Sequence, residues 1–286
     1  MNVYVILGIQ ILFASATHIV AKSTVETVDP LTLTFLRGII SAIGFFVVLR
    51  VRDSRIRFEK EFRRPLILLG FLATLNQFLY LLGMKYTTAA NGALLYAITP
   101  IFVLILSKYY LHEQITFRKL YGILLAFIGV AVVIFEYGNS TSSNFILGNV
   151  LILLAVITWA FFTILGKSLV MQLGALSTTA SVNIAGLMLL TPFGIPSLVT
   201  FPFDHLHVVE WAGILYLGVG TSIIGYLLWY YALRRIEASR LAVFANGQPI
   251  VATLLSVILL DASVSSQFIV GGVITIIGVI VTQLKS

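Results

Sequence analysis

Two stretches that repeat each other decide the fold: LLGMKYTTAANGALLYAITP at residues 81–100 and YYALRRIEASRLAVFANGQP at residues 230–249. The alignment extends to residues 133 and 282 and pairs four notable positions: Lys85 with Arg234, Pro100 with Pro249, Gly122 with Gly271 and Gly129 with Gly278. Each copy holds five long apolar segments, so we predict two five-helix units, residues 1–140 and 141–286. An odd number of membrane crossings turns the second unit upside down relative to the first, as in many transporters.

Composition favours a membrane protein. The chain is 59% hydrophobic and only 10% charged, with a mean hydropathy of +1.04, whereas about a quarter of the residues of a soluble domain are charged. Apolar runs of about 17 residues or more are candidates for membrane spans. We therefore predict an all-α polytopic membrane protein with ten transmembrane helices, near residues 2–22, 31–50, 65–84, 88–110, 117–135, 146–167, 176–198, 210–233, 239–260 and 267–284.

Basic residues give the expected orientation. Fourteen lie in the connections on one side, seven of them between Arg50 and Arg64, against Lys22 and Lys85 on the other side. The positive-inside rule then places both termini in the cytoplasm. The net charge of +7 is accounted for by this orientation in the lipid bilayer, so we expect no nucleic-acid partner.

Several motifs carry a resemblance to a known family. They are Phe35-Leu36-Arg37, Tyr86-Thr87-Thr88-Ala89-Ala90, Ala97-Ile98-Thr99-Pro100, the Glu113-to-Gly122 segment, Trp159-Ala160 and the run from Gly225 to Arg235. In this order and in duplicate, they resemble the EamA-type branch of the drug/metabolite transporter superfamily. The resemblance implies ten helices in an inverted five-plus-five repeat, export of amino acids or other small metabolites, and the bacterial inner membrane as the location.

Polar and aromatic residues at membrane depth predict the solute site. Gln10, Ala14, Thr17 and His18 share one stripe of the first helix, and Asn76, Gln77 and Tyr80 share a face of the third. An amide and aromatic cavity suits an organic solute better than a bare ion, although any single amide could instead bond a neighbouring helix. The predicted substrate-binding residues are Gln10, His18, Arg37, Asn76, Gln77, Tyr80, Tyr96, Trp159, Thr163, Tyr226, Tyr230, Asn246 and Gln248.

Arg37 has two equally supported interpretations. It lies about two turns into the second helix, roughly 9 Å deep at 1.5 Å per residue, where an ionised side chain suggests function. It either binds a substrate carboxylate through its planar fork, or extends towards the surface and pairs with Asp29, Glu26 or helix-end carbonyls. Every Asp and Glu lies in a loop or at a helix end, and we expect Glu113 to pair with Arg118 or Lys119.

Pro100 and Pro249 are the predicted hinges. Each lacks an amide proton and so frees the carbonyl one turn earlier, that of Tyr96 or Ala245, bending helices four and nine. In hydrocarbon such a carbonyl is tolerated only against protein or a watery cavity. The alternative is an ordinary packing kink, and the two interpretations are compatible.

Enzymatic chemistry is not expected. The sequence has no cysteine, no HExxH, no Gly-x-Ser-x-Gly and no pair of membrane aspartates, and we predict no cofactor and no metal. Gly122, Gly129, Gly271 and Gly278 mark helices five and ten as a scaffold or dimer edge, so a homodimer fits the pattern. Two functions stay open: a secondary transporter that exports a small solute, and a membrane scaffold or assembly subunit without transport.

Overall fold

The computed structural model describes residues 2–52, 59–134, 143–248, 250–251 and 266–284, and every secondary-structure element in these ranges is helical. The α-helices are α1 (Val3–Thr24), α2 (Pro30–Val51), α3 (Lys60–Tyr86), α4 (Ala89–Tyr96), α5 (Thr99–Tyr110), α6 (Phe117–Ile134), α7 (Ser143–Leu173), α8 (Ala175–Thr200), α9 (Val208–Leu215), α10 (Tyr226–Leu233), α11 (Ala238–Val243) and α12 (Ser266–Gln283). A π-helical stretch, Tyr216–Gly225, joins α9 to α10, and a 3-10 turn, Phe244–Gly247, follows α11.

Local chemistry sets the helix ends. The Asp29 carboxylate accepts the backbone N–H groups of Leu31 and Thr32 and caps α2, whose first residue, Pro30, needs no N–H partner. Gly174, at a φ of +80°, lies in the left-handed region that glycine adopts without steric cost. It therefore separates α7 from α8 in a single residue.

Seven helical stretches in the described ranges are long and apolar enough to cross a bilayer. They coincide with predicted spans one to four and six to eight. Spans five and ten are represented by α6 and α12, at 18 residues each. Span nine is represented by α11 and the 3-10 turn, and the rest of it, including Pro249, lies outside the described residues.

Predicted spans four and eight are not uniform helices. In span four the α-helix stops at Tyr96 and restarts at Thr99, so Pro100 occupies the first turn of α5, where its missing N–H costs nothing. The expected bend is therefore an interruption of the helix. In span eight, the π-helical stretch contains Gly218, Gly220 and Gly225, and a Cβ at Gly218 would lie 2.6 Å from a side-chain carbon of Ile40 in α2.

The duplicated glycines bring α6 and α12 together. A Cβ at Gly278 would lie 2.4 Å from the Ala126 amide nitrogen and 2.7 Å from the Gly122 carbonyl, and one at Gly129 would lie 2.6 Å from the Gly271 carbonyl. Only bare backbone permits this approach. Because Gly122 faces Gly278 and Gly129 faces Gly271, the two helices run antiparallel. Each glycine thus faces the repeat counterpart of the other glycine on its own helix.

Large apolar side chains cover much of the outside. Val47, Phe71, Ile128 and Ile276 are each at least half exposed, although α3 packs closely against α7 and α8, and α2 against α8. Exposed apolar surface on this scale marks contact with lipid or another apolar partner. The polar residues at membrane depth instead turn inwards.

The connection between α5 and α6 is tied to the second half of the chain by Glu113. Its carboxylate accepts the Ala238 N–H at 2.8 Å and the Ser239 hydroxyl at 2.7 Å, capping α11, and lies 3.4 Å from Lys167 Nζ. The predicted pairing with Lys119 is wrong, because Lys119 binds Glu237 at 2.9 Å. Burial alone would raise the pKa of the Glu113 carboxyl, but the Ser239 and Ala238 hydrogen bonds and Lys167 outweigh it, so its pKa is lowered.

Candidate functional site

A central cavity of about 90 Å³ lies between helices of both halves of the chain. Ten of the thirteen predicted residues line it: Gln10, His18, Arg37, Asn76, Gln77, Tyr80, Tyr96, Trp159, Tyr226 and Gln248. The polar stripes of α1 and α3 therefore face one space, together with residues from α2, α4, α7, α10 and the segment after α11.

One wall of the cavity is a hydrogen-bonded chain centred on His18. Its Nδ1 lies 2.8 Å from the Tyr80 hydroxyl and its Nε2 lies 2.9 Å from Gln248 Oε1. The Tyr96 ring packs edge-on against Tyr80, with centroids 5.3 Å apart, and its hydroxyl accepts from Asn76 Nδ2 at 2.8 Å. Because each side chain holds its neighbour, this wall presents fixed donors and acceptors.

Arg37 occupies a second wall as a buried cation. Only 2% of it is exposed, and its Nε and Nη2 donate to Ser222 Oγ at 3.1 and 3.0 Å. Ser222 belongs to the π-helical stretch and itself donates to the Leu217 carbonyl five residues earlier. The alternative interpretation, in which Arg37 pairs with Asp29 or Glu26, is wrong, because Asp29 caps α2 and Glu26 pairs with Lys22.

Aromatic rings form the third wall. Trp159 packs against Tyr226 and Trp229, with ring centroids 5.2 and 5.3 Å away. The Tyr226 hydroxyl accepts from Gln77 Nε2 at 3.2 Å. Such rings offer apolar area and, over their faces, a favourable place for a cation.

Three predicted residues do not line the cavity. Thr163 lies behind it and accepts the Trp229 indole N–H at 3.2 Å, so it positions a wall residue. Tyr230 stacks on Phe162, with centroids 5.1 Å apart. The Asn246 amide is buried and makes no hydrogen bond within the described ranges. Helical spacing predicted a shared face for each of them, but it cannot tell which side of a helix faces the cavity, and Asn246 lies in the 3-10 turn.

The prediction left out seven lining residues: Phe13, Ala14, Thr17, Thr221, Gly225, Trp229 and Ala245. Ala14 and Thr17 were visible on the stripe of α1, and Trp229 on the face of the eighth span. Thr221, whose hydroxyl lies 2.8 Å from that of Thr17, reaches the cavity through the π-helical turn. No periodic pattern in the sequence signals that turn.

The cavity favours binding over acid–base catalysis. It has no Asp or Glu among its lining residues, and no cluster of His, Cys, Asp and Glu suited to a metal occurs in the described part of the chain. Its polar lining side chains are one arginine, one histidine, four amides and several hydroxyl groups. Such a lining is suited to an organic solute bound through hydrogen bonds and one charge.

Comparison with known proteins identifies a family. The model of the EamA-like transporter family matches residues 2–135 and again residues 146–284. The two matched segments fall either side of the predicted boundary between the repeats.

Curated relatives and a solved structure agree with this match. An uncharacterized transporter of Archaeoglobus fulgidus is 29% identical over the whole of both chains, and one of Bacillus subtilis is 28% identical over the whole of this chain and 88% of its own. A probable terminal-alkyne amino-acid exporter of Streptantibioticus cattleyicolor is 27% identical over 71% of this chain and 67% of its own. A crystal structure with 20% identity covers 98% of this chain and 96% of its own at a TM-score of 0.80, which shows a shared fold.

Proposed function

The chain belongs to the EamA-like transporter family, and on that premise we propose that it is a secondary transporter that exports a small metabolite by alternating access at the central cavity. The proposed solute is an amino acid or a related amphipathic compound. One observation carries the proposal: Arg37 is a buried cation in the cavity wall, and no ion pair to it occurs among the described residues.

A buried charge is costly unless it is paired and hydrogen-bonded. Ser222 supplies a neutral acceptor for two of the Arg37 N–H groups, which satisfies geometry without neutralising the charge. A carboxylate brought by the solute supplies the missing charge and fits the planar guanidinium fork. The cavity is thereby prepared for an anionic group.

Gln10 supplies a hydrogen-bond acceptor, whereas Arg37 supplies donors. It is 6% exposed, it lines the cavity, and its Oε1 has no hydrogen-bond partner among the described residues. A buried acceptor without a donor costs about 1–3 kcal/mol, which an ammonium or hydroxyl of the solute would offset. A donor for Gln10 and a carboxylate for Arg37 together describe an amphipathic solute.

The size of the cavity limits what it holds in this conformation. A cavity of about 150 Å³ accommodates benzene, whereas the cavity measured is about 90 Å³. An aromatic side chain therefore requires the walls to widen. We propose that the cavity widens as the third, fourth, eighth and ninth spans rock about Pro100 and Pro249, the hinges expected from the sequence.

The proposal includes the arrangement in the membrane. Ten spans arise if α4 with α5, α9 with α10, and α11 with the segment after it each cross once. Both termini then face the cytoplasm of a bacterial cell, and the protein lies in the inner membrane. The antiparallel α6 and α12 support inverted repeats of residues 1–140 and 141–286, and their outer faces would provide the contact of a homodimer.

Counterflow in reconstituted vesicles tests the function. Purified protein is placed in vesicles loaded with one member of a panel of radiolabelled amino acids, each paired with its carboxamide. We expect the wild type to exchange at least one acid in preference to its carboxamide, and Arg37→Gln to lose that preference by about tenfold or more, because a buried charge-assisted bond is worth at least 1.4 kcal/mol. Arg50→Gln, exposed at the end of the same helix, is the matched control and should retain the preference.

Two outcomes contradict this proposal. A wild-type protein that exchanges no member of the panel argues for the scaffold function, and so does failure of a water-soluble maleimide to label Gln77→Cys and Tyr226→Cys in a chain without native cysteine. Exchange with the same preference in Arg37→Gln as in the wild type would instead leave transport standing and remove Arg37 from solute recognition.

A further inference from the structure

We propose that His18 is the site at which this protein binds a proton in exchange for its solute, so that proton entry drives solute export. The inference rests on the proposed transport function and adds the coupling ion to it. It starts from the position of His18, which lines the same cavity as Arg37 and is 4% exposed.

The bonds of His18 define one neutral tautomer. Gln248 Oε1, 2.9 Å from Nε2, can only accept, so Nε2 carries the hydrogen. Nδ1 is then the acceptor for the Tyr80 hydroxyl at 2.8 Å. The neutral imidazole therefore has one lone pair that can accept a hydrogen bond, on Nδ1, and it accepts from the Tyr80 hydroxyl.

A proton can be added here with little rearrangement. When it binds Nδ1, the Tyr80 hydroxyl turns from donor to acceptor, since a phenol does both, and its own hydrogen becomes free for another acceptor. No covalent bond changes apart from the new N–H bond. His18 and Tyr80 thus form a pair that takes up one proton and re-aims one donor.

The two partners of His18 come from different halves of the chain. Tyr80 is on α3, in the first repeat, whereas Gln248 follows α11, in the second. The proposed rocking of the third and ninth spans would move Tyr80 and Gln248 relative to His18 on α1, so the protonated and neutral forms would be favoured in different conformations. Different proton affinity in the two conformations is what coupling requires.

The surroundings of His18 explain why the proton and the solute alternate. The charged and titratable groups facing it are Arg37 on α2, Tyr80 on α3, Tyr96 on α4 and Tyr226 on α10, while Tyr216 of the π-helical stretch is occupied with the Phe13 carbonyl and the 3-10 segment presents Gln248. No lining residue is an acid. An imidazolium at His18 would add a second positive charge to the lining that already contains Arg37, and it would repel the ammonium of an amino acid, so a bound proton disfavours the cationic end of the solute.

Steady-state accumulation in the same vesicles tests the proton site. With the membrane potential held at zero, a one-unit pH gradient is a tenfold ratio of proton concentrations. If one proton is exchanged for each solute molecule, this gradient should drive about tenfold accumulation of the exchanged amino acid in the wild type. We expect His18→Gln to exchange more slowly and to show no accumulation. His205→Gln, exposed outside the cavity, is the matched control and should accumulate as the wild type does.

The outcomes separate the two proposals. A wild type that is inert towards every amino acid of the panel contradicts transport itself. Wild-type exchange that ignores the pH gradient, or accumulation that persists in His18→Gln, overturns the proton site while transport stands.

Direct observation of the ring decides the case in which His18→Gln exchanges nothing. In ¹⁵N-histidine-labelled wild type in lipid nanodiscs, the His18 signals are assigned by their loss in His18→Gln. We expect an Nε2–H tautomer at high pH, a proton added to Nδ1 on acidification, and a midpoint that moves when the exchanged amino acid is added. A His18 ring that does not titrate, or titrates at a midpoint indifferent to the amino acid, overturns the proposal.

Discussion

Glu113, a single residue in the loop between α5 and α6, links this loop to α7 and α11. Its carboxylate closes the first turn of α11 through Ala238 and Ser239 and holds Lys167, whose Nζ also donates to the Ile236 carbonyl at 2.9 Å. The position equivalent to Glu113 in the second repeat is Ala262, which lies outside the described residues. An alanine side chain has no atom that accepts a hydrogen bond, so Ala262 itself cannot form the cap that Glu113 forms.

Glu113→Gln is expected to destabilise the protein by about 1–3 kcal/mol at pH 7, since it removes a charged acceptor from buried hydrogen bonds. The pKa of Glu113 in the folded protein is lowered, so its contribution is fully present above the unfolded value of about 4.3 and is lost as the pH falls through the folded value. Melting temperatures of wild type and variant in detergent, measured from pH 7 down to 3, should therefore differ by a constant amount above the unfolded value and draw together as the pH falls below it.

Glu237→Gln is the control for that series. Glu237 lies near the same end of the bundle and binds Lys119 and Arg240, but its side chain is 41% exposed. The cost of removing such a pair is about 0–1 kcal/mol. A gap between Glu113→Gln and wild type that is as wide at pH 3 as at pH 7 would show that the charge of Glu113 contributes nothing.

Residue spacing found much of the cavity because its walls are helices. Gln10 and His18 lie eight residues apart on α1, and Asn76, Gln77 and Tyr80 lie within one turn of α3, so each group shares a face. The same reasoning could not pair His18 with Gln248 or Arg37 with Ser222, because those contacts join different helices. It also misassigned Glu113, for which nearby Lys119 was a closer candidate in sequence than Lys167.

At the scale of elements, α6 and α12 form a pair whose packing depends on the absence of side chains. Backbone atoms of Gly122 and Ala126 lie within 2.8 Å of a Cβ placed at Gly278. At Gly272, six residues earlier on the same helix, no atom from another element of the described chain lies within 4 Å of such a Cβ. The two glycines therefore differ in function although they have the same backbone. Gly278 permits a contact, and Gly272 only lowers the intrinsic stability of the helix.

Gly278→Ala and Gly272→Ala are expected to have opposite effects. The first forces α12 away from α6 and should cost about 1–3 kcal/mol as an overpacked contact. The second should be neutral or stabilise by up to about 1 kcal/mol, because alanine loses less conformational freedom in a helix than glycine does. Melting temperatures in detergent compare them directly, and equal shifts of the same sign would mean that the helix pair is not close-packed at Gly278.

Apolar length predicted the helices, but not their irregularities. The run from Val208 to Leu233 reads as one span in the sequence and in its total length, yet ten residues of it are π-helical. Stretches of this kind are rare and are found frequently at functional sites. Here the stretch brings Thr221 to the cavity and Ser222 to Arg37, a result set by packing against α1 and α2 rather than by local propensity.

At the scale of the whole molecule, the pairing of α6 with α12 constrains the topology. The two helices occupy equivalent places in the repeats and run antiparallel, so if both cross the bilayer their C-terminal ends face opposite sides. The excess of basic residues then chooses between the two remaining orientations. With the ten crossings that we propose, fourteen of them would share the side of the C-terminus, which the positive-inside rule would assign to the cytoplasm.

Fusions to alkaline phosphatase, which is active only outside the cytoplasm, test this arrangement at two positions. A fusion after Asn139, beyond the end of α6, should be active, and one after Ser286, beyond the end of α12, should be inactive, because the two helices deliver their ends to opposite faces. A green fluorescent protein fusion at each position is the control and should give the reverse pattern. Activity at both sites, or at neither, would contradict the inverted repeat. The reversed pattern would be consistent with the inverted repeat but would contradict the predicted orientation. The Glu113–Lys167 pair would then lie at the outer face.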